Sequence, residues 1–376
     1  VLSGRKLRLG EWLVERGILL MSLSAIVVIF LIFLFVAREA LPVALGQMST
    51  AVQPEIIPVE QMDQVPPEQL RRYLGLTPEQ FAATSAEVRR ELMRVKAEEF
   101  EHGTKDPDAR LNTLRWRYLL LPYQWTGYGR PEFIWQPVSP VPKYNIVPLV
   151  VGSLKTTLVA LLFAVPLALG AALYVSQLAP PGLREYLKPG IEMLAGIPSV
   201  VLGFFALIVL ASALQNLLGY QSRLNAFVAG IALGLAVVPV VFSIAEDALS
   251  SVPQAYTQAA LALGSSKWQC AWGIVLPAAM PGVFAAVILG FGRAVGETMI
   301  VLMASGNASI MSWSLLDSTR TMTATIAAEL AETVFGGPHY RVLFLVGALL
   351  FLVTFVCNLA ANVVIQRLKI KLQGGK

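Results

Sequence analysis

Hydrophobic and polar positions divide the chain into three regimes. A tail carrying Arg5, Lys6, Arg8 and Arg16 leads into an uncharged run over 17–37. A run of that length crosses a hydrocarbon core of about 30 Å at about 1.5 Å per residue, so it predicts a membrane-spanning helix. It exceeds the core of a signal peptide and lacks a small-residue cleavage site, which makes it a retained span. Residues 38–144 are mixed in charge and rich in Pro, with no membrane-length apolar run. Within them, Thr77-Pro78-Glu79-Gln80 reads as a capping box with Pro at the first helical position, opening a charged helix that extends to 101. Leu74, Phe81, Val88, Leu92 and Val95 recur at helical spacing, as a packing face or a partner surface. An aromatic group including Trp116, Tyr118, Tyr123, Trp125 and Trp135 approaches the next span, where interfacial anchors are expected. Five further spans are predicted at 147–178, 191–214, 224–245, 277–306 and 342–366. A polar segment between the last two carries an amphipathic helix over 321–334, expected at the outer membrane surface.

Composition agrees with this pattern. The chain has 376 residues, 56% hydrophobic and 14% charged, where soluble domains carry about 25% charged residues. The prediction is an all-α polytopic membrane protein with six transmembrane helices and a largely helical extramembrane insert after the first. The net charge of +5 does not call for nucleic acid, because the basic residues follow the topology. Arg184 and Lys188 fall between spans two and three, Lys267 between four and five, and Arg367, Lys369 and Lys371 after six. With the N-terminal tail they share one side, which the positive-inside rule makes cytoplasmic. The expected organisation is a cytoplasmic tail (1–16), a first transmembrane helix (17–37), a periplasmic insert (38–144) and a five-helix core (145–376). Both termini are then cytoplasmic, as is a loop over 251–277, and the lipid bilayer is itself a partner. Cys270, Cys357, His102 and His339 form no disulfide framework or metal-ligand spacing. No nucleophile and base constellation appears, so no catalytic residue is assigned. There is no G-x-x-x-x-G-K-[ST] phosphate loop, so this chain does not bind ATP by that route.

The informative stretch is 253–307. Ala255, Ala259, Ala260 and Ala262 favour a slim helix, Gly264 can end it in the left-handed conformation, and Ser265 or Ser266 can cap the next one. Beyond it, Arg293 and Glu297 stand four apart in an apolar run, so both can project from one side and pair. A charge at the bilayer centre costs about 2.5 to 3.5 kcal/mol on insertion scales, so such residues usually face a cavity or a partner. Two readings follow: an ion pair that locks helices, or an anion site in which Arg293 offers a donor fork that Glu297 neutralises between transport events. Gly292 and Gly296 repeat the spacing one position earlier and would let a neighbouring helix approach.

The spacing of Gln258, Ala259, Ala260, Gly264, Ile274, Leu276 and Pro277 resembles the EAA loop of ABC-transporter permeases, with Gln258 in place of the leading Glu. Further strings narrow the resemblance to the C-type permease of phosphate-specific importers: 191–201 (IEMLAGIPSVV), 292–299 (GRAVGETM), the entry at 146–154, and 323–330 (TATIAAEL). It covers 135–376. The resemblance implies an ABC importer type I permease architecture in the bacterial inner membrane. It also implies an A-type permease as heterodimer partner, an ATPase dimer that uses ATP and Mg, and a periplasmic phosphate-binding protein that delivers phosphate. This chain would bind no cofactor itself. Arg293 and Glu297 carry over as functional intramembrane residues, while the long insert departs from the family's short outer loop. A sulfate or molybdate permease would share the EAA loop. A receptor with 38–144 as a periplasmic sensor is the alternative of another class, and the expected inner loops hold no output domain.

Overall fold

The computed structural model describes residues 9–51, 62, 65–104 and 107–372. Arg5, Lys6 and Arg8 of the basic tail lie outside them. The chain forms two compact units, Gly46–Asn145 and the remainder. Helix α1 (Leu9–Ala44) continues past the predicted end at residue 37, because Arg38 and Glu39 extend it. Gly46, at φ +67°, follows its end, so the insert begins there rather than at residue 38.

The insert contains α2 (Pro67–Leu74), α3 (Pro78–Ala83), α4 (Ala86–Thr104), α5 (Trp116–Leu120) and a two-stranded antiparallel pair, β1 (Trp135–Gln136) with β2 (Lys143–Tyr144). The capping box forms: Thr77 Oγ1 accepts from Gln80 N at 3.3 Å and Gln80 Oε1 from Thr77 N at 3.1 Å. The single helix expected from it is two, α3 and α4. Thr84 turns extended and Ser85 Oγ accepts from Val88 N, a local side-chain bond that competes with helix continuation. Of the expected apolar face, Leu74 is buried with Met62, Leu70 and Met93, and Phe81 packs beside them. Val88, Leu92 and Val95 point outward. The aromatic residues are core rather than interfacial anchors. Trp125 and Trp135 are buried, and Tyr123 meets Tyr118 and Trp125 edge-on at 5.0 and 4.9 Å. A unit this small obtains its apolar area from large rings. Trp116 alone of the group named above is exposed.

The second unit continues with α6 (Val147–Leu178), α7 (Pro181–Met193), α8 (Ser199–Leu218), α9 (Ala226–Ser250) and α10 (Gln254–Ala262). After these come α11 (Lys267–Gly296), α12 (Met299–Ala304), α13 (Met322–Glu329) and α14 (Pro338–Leu372). Among the described residues six helices, α1, α6, α8, α9, α11 and α14, are long and apolar enough to cross a membrane, as the sequence predicts. Several boundaries move. Ile191 belongs to α7, and the third span starts after Ile197 turns extended before Pro198, which disfavours helix at the preceding residue. The fourth span, α9, runs to Ser250, so Glu246 and Asp247 are helical. The fifth begins at Lys267, where Ser266 and Gln269 form a second capping box, and ends at Gly296. Pro277 therefore lies inside it, and the wider π turn over Ala271–Val275 relieves the clash of its ring with the preceding turn.

The core is a seam of small residues. Ala160, Ala164, Ala168 and Ala172, spaced by four along α6, are fully buried. They lie toward α9, where a Cβ on Gly230 would stand 2.5 Å from Val159 and one on Gly234 2.7 Å from Phe163. Close backbone approach of this kind replaces the hydrophobic drive that lipid does not provide. Helix α11 joins through Gly290, whose Cβ would meet Val241 at 2.5 Å. Helix α1 packs on α14 through Phe33 with Phe351 and Phe35 with Phe344, rings 5.0 and 5.5 Å apart.

The segment before α13 closes one end of this seam. Ala226 N and Phe227 N, in the first turn of α9, donate to the carbonyls of Asp317 and Leu315, and Asn225 Oδ1 accepts from Val228 N at 2.9 Å. Lys155 is buried and donates to the Ser314 carbonyl at 3.0 Å. Helix α13 is not the surface amphipathic helix expected over 321–334. Met322 to Thr325 are buried, and Met322 N donates to Ser153 Oγ at 3.0 Å. The helix enters the bundle because Gly152 leaves room for the Arg320 carbonyl, which a Cβ at that position would overlap. Gly152→Ala should cost about 1 to 3 kcal/mol by overpacking. Thermal unfolding of the detergent-solubilised protein would read this as a lowered midpoint, and an unchanged midpoint would refute the contact.

Candidate functional site

The two predicted charged residues sit at a break between helices. Arg293 occupies the last turn of α11, not its middle. The 30 residues of α11 give a length of about 45 Å against a core of about 30 Å, so the helix overruns the bilayer at one end at least. Gly296 is its last residue, and Glu297 turns extended at φ −70° and ψ 134°. The four-residue spacing therefore does not produce an ion pair. Among the described residues Arg293 has no salt bridge, and it is exposed. Glu297 is half-buried, and its Oε1 accepts from Thr298 N at 3.1 Å and Met299 N at 3.2 Å. It thus satisfies the first donors of α12, where a carboxylate is also favoured by the helix dipole.

The break is held from outside the helix. Thr323 Oγ1, in α13, donates to the Glu297 carbonyl at 2.9 Å. Thr321 caps α13, accepting from Ala324 N. Just before it, Arg320 Nε donates to the Asn307 carbonyl and to its Oδ1, each at 3.1 Å, and the Arg320 guanidinium pairs with Glu329. Glu329 Oε2 also lies 2.9 Å from His339 Nε2 in α14. Asn307 adopts φ +54°. Sequence reasoning named the 323–330 string but missed Arg320 and His339, which lie outside any short motif.

Gly292 and Gly296 meet nothing: a Cβ on either would have no neighbour within 4 Å. Within this chain the close-packing glycines of α11 are Gly290 and Gly282, against Val241 and Ala248 of α9. Gly292, Arg293 and Gly296 instead mark a face that no helix covers among the described residues.

At the other end of α11 lies the Ala-rich loop. Helix α10 carries Gln258 and Ala259 outward and buries Ala260. It ends as predicted. Gly264 takes φ +86°, Gly264 N donates to the Leu261 carbonyl, and Ser265 N donates to the Ala260 carbonyl. Ile274 and Leu276 are half-buried and Pro277 is exposed, all within α11 rather than in the loop. Tyr256, Leu263, Trp268 and Trp272 are exposed, and the two Trp rings stack at 5.9 Å.

A third feature was not read from the sequence. Glu246, near the end of α9 that leads into the loop, is completely buried. Its Oε1 accepts from Arg184 Nη2 at 2.7 Å and from Ser250 Oγ at 2.7 Å, and its Oε2 from Lys188 Nζ at 2.5 Å. Lys188 also reaches Asp247 Oδ1 at 3.0 Å. The hydrogen bond to Glu246 holds the Lys188 ammonium above the ordinary lysine range, against partial desolvation and with help from Asp247, so it stays charged at physiological pH. In the sequence Arg184 and Lys188 stand out only as topology signals. Among the described residues no group of three or more His, Cys, Asp or Glu could hold a metal ion.

The family model for binding-protein-dependent transport system inner membrane components matches residues 164–370, more than half of the chain. The phosphate transport system permease protein PstC of Xylella fastidiosa is 35% identical over 257 residues, covering 63% of this chain and 78% of the relative. PstC of Pasteurella multocida is 32% identical over 256 residues, covering 63% and 79%. A Bacillus subtilis protein, YqgH, described as a probable ABC transporter permease, is 32% identical over 248 residues, covering 65% and 80%. Among solved structures, an inward-facing MetNI methionine ABC transporter chain superposes with a TM-score of 0.48 at 17% identity, covering 59% of this chain and 95% of that one. The chain belongs to the family of binding-protein-dependent transport system inner membrane components, on the branch of the PstC phosphate permeases.

The geometry at Glu297 makes a stability prediction. Glu297→Ala removes an acceptor from two backbone donors and should cost about 0.5 to 2 kcal/mol, the range for lost helix caps. Glu297→Gln keeps a neutral oxygen there and should cost less. Thermal unfolding of the two variants in detergent checks the order, and equal midpoints would count against the capping role.

Proposed function

We propose that this chain is the permease subunit of an ATP-driven importer that moves inorganic phosphate inward across the bacterial inner membrane. It is a non-catalytic subunit. Phosphate as substrate rests on the relatives named as phosphate permeases. The observation that carries the mechanism is a continuous helix, α11, joined at one end to an exposed Ala-rich loop and carrying Arg293 at the other.

In this reading Gln258, Ala259, Ala260 and Gly264 belong to the contact with an ATPase dimer, which binds ATP and Mg. Ile274, Leu276 and Pro277 then form the base of the rod above that contact. The Ala-rich surface of α10 suits insertion into a groove. The uncovered face at Gly292, Arg293 and Gly296 turns toward an A-type permease partner, and the anion passes between the two. Arg293 supplies a fixed positive charge and a planar donor fork suited to a phosphate oxyanion. Glu297 keeps a negative charge one turn away, which limits how tightly the anion is held. A periplasmic phosphate-binding protein delivers the substrate, and both termini and the loop are cytoplasmic. Closure of the ATPase dimer would tilt α11 as a rod and change the side to which Arg293 is open.

Two substitutions test the two ends of the rod. Arg293→Gln should leave the complex assembled and reduce radiolabelled phosphate uptake by about 100-fold, the scale on which a charge-assisted contact of roughly 3 kcal/mol acts. Normal uptake at normal abundance would reduce Arg293 to scaffold, and competition by sulfate or molybdate in the wild type would reassign the oxyanion. Gly264→Val places a β-branched residue at φ +86°, where it is strained. Phosphate-stimulated ATP hydrolysis should then separate from uptake in the reconstituted complex. Unchanged values of both would exclude this loop from coupling.

A further inference from the structure

We propose that Glu246 is a positioning residue whose double clamp by Arg184 and Lys188 makes α7 and the root of the Ala-rich loop move as one body during transport. The inference rests on the loop being the ATPase contact.

The clamp joins elements distant in sequence at the place where the loop begins. Arg184 and Lys188 are one turn apart on α7, so both reach the same carboxylate from one face. Glu246 and Asp247 lie in the last turns of α9, which ends at Ser250, and α10 starts at Gln254. Both oxygens of Glu246 are occupied, and Ser250 Oγ closes the set by donating to Glu246 while accepting from Arg184 Nη2 at 3.0 Å. Gln177 Nε2, at the end of α6, donates to the Leu249 carbonyl at 3.3 Å and ties a third element to the same turn.

The burial decides how this cluster behaves. Glu246 has no exposed surface, while Arg184 and Lys188 keep 40% and 32% of theirs. Pulling α7 away would leave a carboxylate in a low-dielectric interior without its counter-charges, a state far costlier than loss of a surface pair. A motion at the loop is therefore transmitted to α7 rather than absorbed at this joint. Helix α7 leads through the bend at Ile197 and Pro198 into α8. There Gly203 lies in contact with Met299 and Ile300 of α12, directly beyond Glu297. The clamp thus provides a second route from the loop to the break near Arg293, parallel to α11.

The test uses the reconstituted complex. Spin labels at Glu185 of α7 and Ser251 at the loop root, both exposed, report their separation without ATP and with ATP trapped. An unchanged distance while the transporter turns over is the expected result, and separation of the labels would overturn the clamp. Glu246→Gln should lower phosphate taken up per ATP hydrolysed by about tenfold, within the range of ordinary site-to-site coupling. A normal ratio would overturn the proposal. The triple variant Arg184→Gln, Lys188→Gln, Glu246→Gln leaves no buried charge uncompensated, so it covers the case in which Glu246→Gln alone fails to fold. If it restores the normal ratio, the cluster matters only for charge balance and the proposal fails; if it stays uncoupled, the proposal stands. Failure of the wild-type complex to bind its ATPase would instead refute the transport reading itself.

Discussion

The close approach of α6 and α9 is the constraint on which the membrane unit depends. Lipid offers no hydrophobic penalty for separating two apolar helices, so their association comes from packing. Gly230 and Gly234, one turn apart, receive Val159 and Phe163, and the alanine row of α6 is fully buried beside them. Everything else is referred to this pair. Helix α11 lies on α9 through Gly290 and Gly282, the 315–317 segment caps the first turn of α9, and Glu246 anchors α7 to its last turns. Helix α9 is consequently the axis of this unit, with α6, α7 and α11 packed against it.

Much of the architecture was legible because its causes are local. Six apolar runs of spanning length give six helices, and the Thr77 capping box and the Gly264 stop appear as residue chemistry dictates. Boundaries were less legible where a span continues through polar residues. Glu246 and Asp247 read as the end of an apolar run, yet they remain helical because Arg184 and Lys188 neutralise them from another part of the chain. No window around residue 246 contains that information. The fifth span shows the converse: Pro277 looks like a start, but the true start is the Ser266 cap eleven residues earlier.

The site itself was half legible. The Arg293 and Glu297 pair was found because charges in an apolar run are rare, but the assumption of a continuous helix failed at Gly296. The same ambiguity affects the glycines. A Gly-x-x-x-Gly spacing signals close approach without saying to what, and both pairs in this chain fit the pattern. Gly230 and Gly234 meet a helix of the same chain, whereas Gly292 and Gly296 meet none. A partner supplied by another subunit leaves the same trace in sequence as one supplied internally.

The helix break then acquires a physical role. In a continuous helix, Arg293 and Glu297 would be held together by their spacing, and each would cancel the other's charge. Ending the helix at Gly296 directs the carboxylate to Thr298 N and Met299 N, leaving the guanidinium outside any ion pair among the described residues. The carboxylate does not occupy the donor fork. Because the Glu297 carbonyl is bonded by Thr323, which follows the Arg320 anchor, the break is fixed by α13 rather than by α11 itself. The end of α11 next to Arg293 is thereby tied to a helix that makes no part of α11.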